Sequence, residues 1–374
     1  MTYDVVLVGG GLSNGLIMLA LVHASPRGRI AIVEQDEKLG GNHHWSFHAA
    51  DVPDAAWPWF EPLVAHRWPS YDVRFPTFER RVDSPYATVT SATLDAAVRR
   101  AADQAGATVI LGHRVTSVQA DHVTLDDGTR LVGNLVVDAR GPAAPGKAGL
   151  AYQKFLGLTL RVAGDIPARP IVMDACVPQE RGLRFVYVLP LGGDRVLIED
   201  TYYDESPVLD RTPLRANVLD YARAQGLAVI DVLGSEHGVL PLPLERTMTP
   251  RMARPLIAGY AGGWLQPTTG YSLPVAVRLA LALASADPDT AVADLAARHS
   301  EQAVFLRRLN RWLFRGIAPE HRWRLFAKFY HLPNDVVARF YAMELGPLER
   351  WRVVAGVPPR GMRVRELLRA VGDA

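Results

Sequence analysis

Apolar positions along the chain change period in an order that predicts strands alternating with helices. Val5-Val6-Leu7-Val8 is an unbroken apolar run that ends on Gly9-Gly10-Gly11 and opens into the apolar stretch Leu16 to Ala24. It reads as a strand buried on both faces, a tight turn and a helix. Arg29 to Glu34 is a second such strand, so the chain begins as a βαβ unit. Leu94 to Ala105 has helical periodicity, Thr108 to Leu111 is a short strand, and Val115 to Leu131 alternates like a hairpin about Asp126-Asp127-Gly128. Leu135 to Asp138 is again a buried strand. Runs at Leu156 to Val162, Leu183 to Leu189 and Arg195 to Tyr203, the last two joined across Gly192-Gly193, predict an antiparallel sheet. Residues 51 to 90 are rich in Pro, Trp and Tyr with little periodicity, as expected of an insertion lining a substrate site.

The first turn carries chemistry. Gly9 permits the tight bend and Gly11 lets the backbone approach a pyrophosphate, with Gly10 between them. The helix N-terminus then supplies free N–H groups and a positive dipole end. Asn14 stands where a third glycine is usual and Gly15 follows, which predicts slightly displaced helix–strand packing. Glu34 falls 19 residues beyond Gly15 at a strand end, the position of an acid that accepts from ribose hydroxyls.

With 374 residues, 49% of them hydrophobic, the chain is ample for one large or two ordinary domains. A net charge of +2 carries no nucleic-acid footprint. The single cysteine, Cys176, excludes an internal disulfide, and no charged leader precedes the first strand, so a cytoplasmic protein is expected. The best candidate for a membrane span, Leu273 to Ala286, is about 14 residues long, too short for the bilayer, and is interrupted by Arg278. Phe305, Leu306, Leu309, Trp312 and Leu313 share one helical face, and Arg307, Arg308, Arg311 and Arg315 share another. Such a stripe either packs on the protein's own core or lies on a membrane surface; the basic–aromatic stretch Arg322 to Tyr330 favours the membrane.

The order of nucleotide-binding unit, helix, meander and a strand running into Asp138-Ala139-Arg140-Gly141 resembles the two-domain flavoproteins that include aromatic hydroxylases and geranylgeranyl reductases. The resemblance implies FAD, with Asp138, Gly141 and Gly259 in its binding segments. An acid usually follows the last of these glycines, but Tyr260 stands here, so the contact passes to the helix N-terminus near Gly270 and Tyr271.

Arg195 to Tyr203 places adjacent carboxylates, Glu199 and Asp200, on opposite faces of a strand. Glu199 lies with Leu197, Thr201 and Tyr203, and Asp200 with Ile198 and Tyr202. A carboxyl in apolar surroundings holds its proton more tightly, which suits an acid that protonates an alkene; the bland alternative is a salt-bridged pair. Four segments (Gly9 to Gly15, Gly40 to His48, Leu197 to Thr201, and Pro267 to Pro274) together resemble the successive signatures of bacterial lycopene β-cyclases over essentially the whole chain. The resemblance implies a non-redox isomerisation: a ψ-end of lycopene is protonated, the carbocation closes on the neighbouring double bond, and proton loss leaves a β-ring. It further implies reduced FAD, with NADPH as reductant, Glu199 as the acid/base group, Asp200 as the supporting carboxylate, and Trp45, Tyr202, Tyr203, Trp264 and Tyr271 as pocket walls.

The expected fold is α/β. A Rossmann-like FAD-binding domain comprises residues 1–50, 91–150 and 251–300, an antiparallel β-sheet substrate domain comprises 51–90 and 151–250, and a helical C-terminal region comprises 301–374. The expected location is the inner face of the cell membrane. His43, His44 and His48 lack a zinc spacing, and no metal is expected. The rival readings are a redox flavoenzyme, either a monooxygenase or a prenyl-chain reductase, and a non-catalytic isoprenoid carrier.

Overall fold

A computed structural model describes residues 2–141, 149–179, 182–245 and 249–355. The first sheet contains β1 (Thr2–Val8), β2 (Ile30–Glu34), β8 (Thr108–Leu111), β9 (Val115–Val118), β10 (His122–Leu125) and β11 (Arg130–Asp138) in the order β8-β2-β1-β11-β10-β9; the two-residue β17 (Leu256–Ile257) also pairs with β11. The pairs β8/β2, β2/β1, β1/β11 and β11/β17 are parallel. Leu7, Ile30, Ile32 and Val137 face the main core. Val6, Val8, Ala31 and Val33 form a second cluster with the β9–β10 ribbon. Burial on both faces is why these strands are apolar throughout. The main-core side is covered by α1 (Leu12–Ala24), α3 (Ser91–Ala105) and α5 (Leu273–Leu283).

The second sheet contains β5 (Tyr71–Phe75), β6 (Phe78–Val82), β12 (Leu150–Ala163), β13 (Ile171–Asp174), β14 (Arg184–Pro190), β15 (Arg195–Asp204) and β16 (Ala228–Pro243) in the order β16-β12-β15-β14-β13-β5-β6. It is antiparallel except for β13/β5. One face covers the main core; the other buries Leu158, Val186, Val196 and Ile198 under α4 (Arg211–Ala224). A third, small sheet of β3 (His44–His48), β7 (Tyr86–Thr90) and β4 (Val64–Trp68) joins the two, next to the single turn α2 (Trp57–Phe60). Helices α6 (Pro288–Gly316), α7 (Trp323–Phe329), α8 (Asn334–Ala342) and α9 (Pro347–Val354) complete the described chain.

Three expectations change. Residues 51–90 hold four strands, whose five-residue lengths are too short to print a clear period; Tyr71, Val73 and Phe75 alternate inward. The hairpin at 115–131 is a three-stranded meander with a further turn at Ala120-Asp121, and the turn at 126–128 leads from β10 into β11. The stripe Leu306, Leu309, Trp312 and Leu313 is at most 8% exposed and packs on the protein's own core, so its amphipathicity reports internal packing. Among the described residues no helix is long and apolar enough to cross a membrane.

Candidate active site

The glycine turn is shaped by close approaches. Gly9 has φ +90°, and a Cβ there would lie 2.9 Å from the Ala139 carbonyl oxygen; one at Gly10 would lie 2.4 Å from Leu39. Gly11 is the residue before α1, and nothing lies within 4 Å of where its Cβ would stand. No side chain caps α1, so its first N–H groups face that open space. Asn14 substitutes for the missing glycine by bonding: its Nδ2 donates to the Val8 and Gly9 carbonyls, each at 2.9 Å. Gly15 leaves room for Leu94 of α3, 2.8 Å from a would-be Cβ. Glu34 accepts from the Gly10 N–H at 2.6 Å and the Asp36 N–H at 3.1 Å, and keeps lone pairs for a further donor. Gly259 (φ +59°) abuts Ser13 at the same helix end, and Gly141 (φ +92°) closes the strand beyond Asp138. The Asp138 carboxylate is held by Arg140 through two bonds of 2.9 and 2.7 Å, so this chain already occupies it.

A cavity of about 390 Å³ lies between β3, residues 269–273, the second sheet and the C-terminal helices. Gly270, Tyr271 and Ser272, at the uncapped start of α5, line it together with His44, Trp45 and Ser46. Glu199 and Tyr203 of β15 line it from the sheet, with Tyr187 of β14. Register explains the position of Glu199: Gly157 of β12 pairs with it on one side and Tyr187 of β14 on the other. Gly157 also pairs with Glu236 of β16, so two carboxyl-bearing positions flank a residue without a side chain. A Cβ at Gly157 would stand 3.1 Å from Glu236 Cγ and 3.2 Å from Leu197 Cδ1. Glycine is what lets Glu236 lean over the middle strand.

The two acids have different surroundings. Burial, reinforced by the nearby Glu236 charge, pushes Glu199 up to about 8; its one hydrogen bond is from Thr201 Oγ1 at 2.8 Å. Near neutral pH Glu199 therefore carries its proton. Glu236, 5% exposed, accepts from the His44 backbone N–H at 2.8 Å and lies 3.0 Å from His44 Nδ1. Around them burial drives the Tyr187 and Tyr203 hydroxyls well above their ordinary range, leaving neutral rings. Tyr271 donates to Asp51 at 2.7 Å. The cavity thus offers a protonated acid, a second carboxyl group fixed by a histidine, and π-faces, a set able to protonate a weak base and shelter a cation.

The structure brings Glu199, Trp45, Tyr203, Tyr271 and Gly270 to one cavity. Asp200, Tyr202 and Trp264 lie elsewhere. Asp200 points to the α4 side, where Arg184 donates to it at 2.8 and 3.3 Å and Asn217 at 2.9 Å. Tyr202 accepts from Asn217 and lies under the Arg184 guanidinium. Trp264 is 1% exposed, donates to the Ile257 carbonyl and packs on His299. Strand alternation explains the first two; the turn after Gly262-Gly263 explains the third. Asp200→Ala strands the Arg184 charge and is expected to lower unfolding stability by about 3–5 kcal/mol in urea titration. Glu236, His44 as its partner, Gly157 and Tyr187 were not singled out from sequence. The one local signal was Gly157, a lone glycine in a strand pattern.

Comparison with known proteins identifies the family. The model of the family described as lycopene cyclase protein matches residues 4–366. Lycopene beta-cyclase of Pantoea ananas is 40% identical over 366 residues, covering 96% of this chain and 95% of that protein. Lycopene beta-cyclase of Pseudescherichia vulneris is 39% identical, with 95% and 94% covered. Among solved structures, a flavin-dependent halogenase from Xanthomonas campestris superposes with a TM-score of 0.65 at 17% identity, covering 98% of this chain and 93% of its own. A geranylgeranyl bacteriochlorophyll reductase-like protein of Thermoplasma acidophilum gives 0.62 at 14%, covering 100% and 96%. The solved structures establish a shared fold; the family match and the near-full-length identities establish descent, and the chain belongs to the lycopene cyclase family.

Proposed function

We propose that the protein cyclises the ψ-ends of lycopene to β-rings without net redox change. The observation that carries this reading is Glu199 inside an aromatic cavity, one strand away from the Glu236 carboxyl group across Gly157. Glu199 donates its proton to the terminal double bond. The neighbouring double bond closes on the resulting tertiary cation, and the Glu236 carboxylate, oriented by His44, offsets the charge and accepts the ring proton. Tyr187, Tyr203 and Trp45 exclude water that would otherwise trap the cation as an alcohol.

The Gly9–Gly15 turn fits FAD: the space above Gly11, the uncapped α1 terminus and Glu34 provide for a pyrophosphate and a ribose. Bound and reduced, FAD supplies negative charge to a low-dielectric cavity where a cation develops. The uncapped start of α5, beside Gly270, would hold a negatively charged group with its positive dipole end. NADPH serves as reductant only, and the protein works at the membrane face where carotenoids reside. Gly11→Val fills the open cradle and is expected to weaken FAD binding about tenfold or more, read by titration calorimetry.

The test is anaerobic incubation with FAD, NADPH and liposomal lycopene, with pigment and NADPH followed together. Cyclic product with far less than one NADPH consumed per ring supports the reading; stoichiometric consumption supports a redox flavoenzyme instead.

A further inference from the structure

Ring closure leaves the proton on the wrong carboxyl. Glu199 has given one to the alkene and Glu236 has taken one from the ring, so the pair reacts again only after Glu236 loses a proton and Glu199 regains one. Without a path to water, the hydrogen taken from one ring returns to Glu199 and enters the next substrate. With such a path, each ring begins with a solvent proton.

Glu236 meets the surface at a seam between two sheets. Strand β16 is an edge of the second sheet and β3 an edge of the third, and among the described residues no backbone ladder joins them. Side chains close the seam instead. Asn42 donates to the Ser235 carbonyl, and the His44 backbone N–H donates to Glu236 Oε2 at 2.8 Å. Along β16 Ser235 and His237 are exposed while Glu236 between them is buried, so its carboxyl lies one side chain below the surface. Its other oxygen, Oε1, is turned over the middle strand, 3.4 Å from where a Cβ at Gly157 would stand.

One imidazole bridges that layer. His44 Nδ1 lies 3.0 Å from Glu236 Oε2, and the side chain is 19% exposed. An imidazole takes a proton on one nitrogen and releases one from the other near neutral pH, so a ring set between a buried carboxyl and water conducts protons. Three more histidines stand close by. Burial lowers the proton affinity of His43 and of His66 on β4, with Arg195 adding to the effect at His66, and His237 is exposed at the rim. Of the four, His44 is the one in hydrogen-bond reach of Glu236 among the described residues.

We propose that His44 is the proton relay of the carboxyl pair: it exchanges the ring proton held by Glu236 for a solvent proton, which restores Glu199 through the gap at Gly157. The steps balance. The ring carbon gives its proton to Glu236, Glu236 passes it to His44 Nδ1 as the far nitrogen releases one to water, and the reverse passage returns one solvent proton to the pair. This rests on the cyclase reading for the source of the proton. It gives His44 a task beyond holding Glu236 in place.

The test uses the full-length, FAD-loaded protein in D₂O with dithionite and excess liposomal lycopene, and counts deuterium per ring by mass as turnover proceeds. The wild type puts one deuterium into every ring. His44→Gln keeps a hydrogen-bond donor beside Glu236 but passes no proton from one side of the residue to the other. Its first ring carries deuterium taken up before substrate was added; later rings carry the hydrogen returned from the ring before, or do not form. His44→Ala behaves likewise until imidazole is added, which restores the label. FAD content and thermal melts report folding. A His44→Gln protein that labels every ring at the wild-type rate overturns the relay, and so does one that forms no first ring, since His44 then acts in the chemistry itself. A wild type that forms no ring overturns the cyclase reading, an outcome separate from full labelling by the variants.

Discussion

Glu199→Gln abolishes ring formation, by about 10³-fold or more, while the protein folds, binds FAD and takes up lycopene as before. General acid catalysis accounts for about 10²–10⁴ in rate, and protonation of an unactivated alkene has no alternative donor of matched strength in this cavity. Gln retains the size of Glu and can still accept from Thr201, so the loss reports the proton rather than packing. The wild-type rate is lost as pH rises through about 8, because only the protonated carboxyl donates. Stability carries the same signature. The folded-state value lies above the ordinary 4.5, so the held proton contributes stability that is complete below about pH 4.5 and lost as pH rises through about 8. In Glu199→Gln that decline disappears, which thermal melts from pH 4 to 9 measure. A variant with a substantial wild-type rate removes Glu199 from the acid role.

Glu236→Gln has the second largest effect, a loss of about 10²-fold in ring formation together with a displaced pH profile. Removing the carboxylate deprives the cation of an opposite charge from the protein and the ring proton of its acceptor. It also removes the like charge that helps hold Glu199 up, so the alkaline limb moves to lower pH. The direction separates this role from a structural one: a loosened β16 edge would cut the rate without moving the limb. His44→Ala reproduces part of the rate loss, since His44 positions Glu236 through its ring as well as its backbone.

The parts of this fold that were legible in the sequence are those whose physics is local. Val5 to Val8, the glycine turn and Glu34 are set by strand burial, turn geometry and spacing, and each stands where those rules put it. Alternation along Arg195–Asp204 assigned Glu199 and Asp200 to opposite faces correctly. It could not say what covers the second face, and α4 makes Asp200 the anchor of Arg184 and Asn217.

Glu236 escaped notice because its importance arises from register. It is brought beside Glu199 only when β12 lies between β15 and β16 with Gly157 at the crossing point. The strand that carries it mixes Gly, Ser, Asp and His, since an edge strand needs no continuous apolar pattern. The stripe on α6 shows the complementary failure. Its period was read correctly, yet a period cannot tell a lipid surface from three neighbouring helices, and the structure gives those residues to the core.

Deuterium incorporation tests the central claim most directly. Lycopene is cyclised anaerobically in D₂O with dithionite-reduced FAD, and the product mass is compared with that formed in H₂O. Proton donation from a solvent-exchanged Glu199, followed by loss of a carbon-bound hydrogen, predicts one deuterium in place of one hydrogen for every ring formed, with no other change of mass. A product that has gained two hydrogens or an oxygen, or a ring formed without deuterium, contradicts acid-initiated, non-redox cyclisation by this protein.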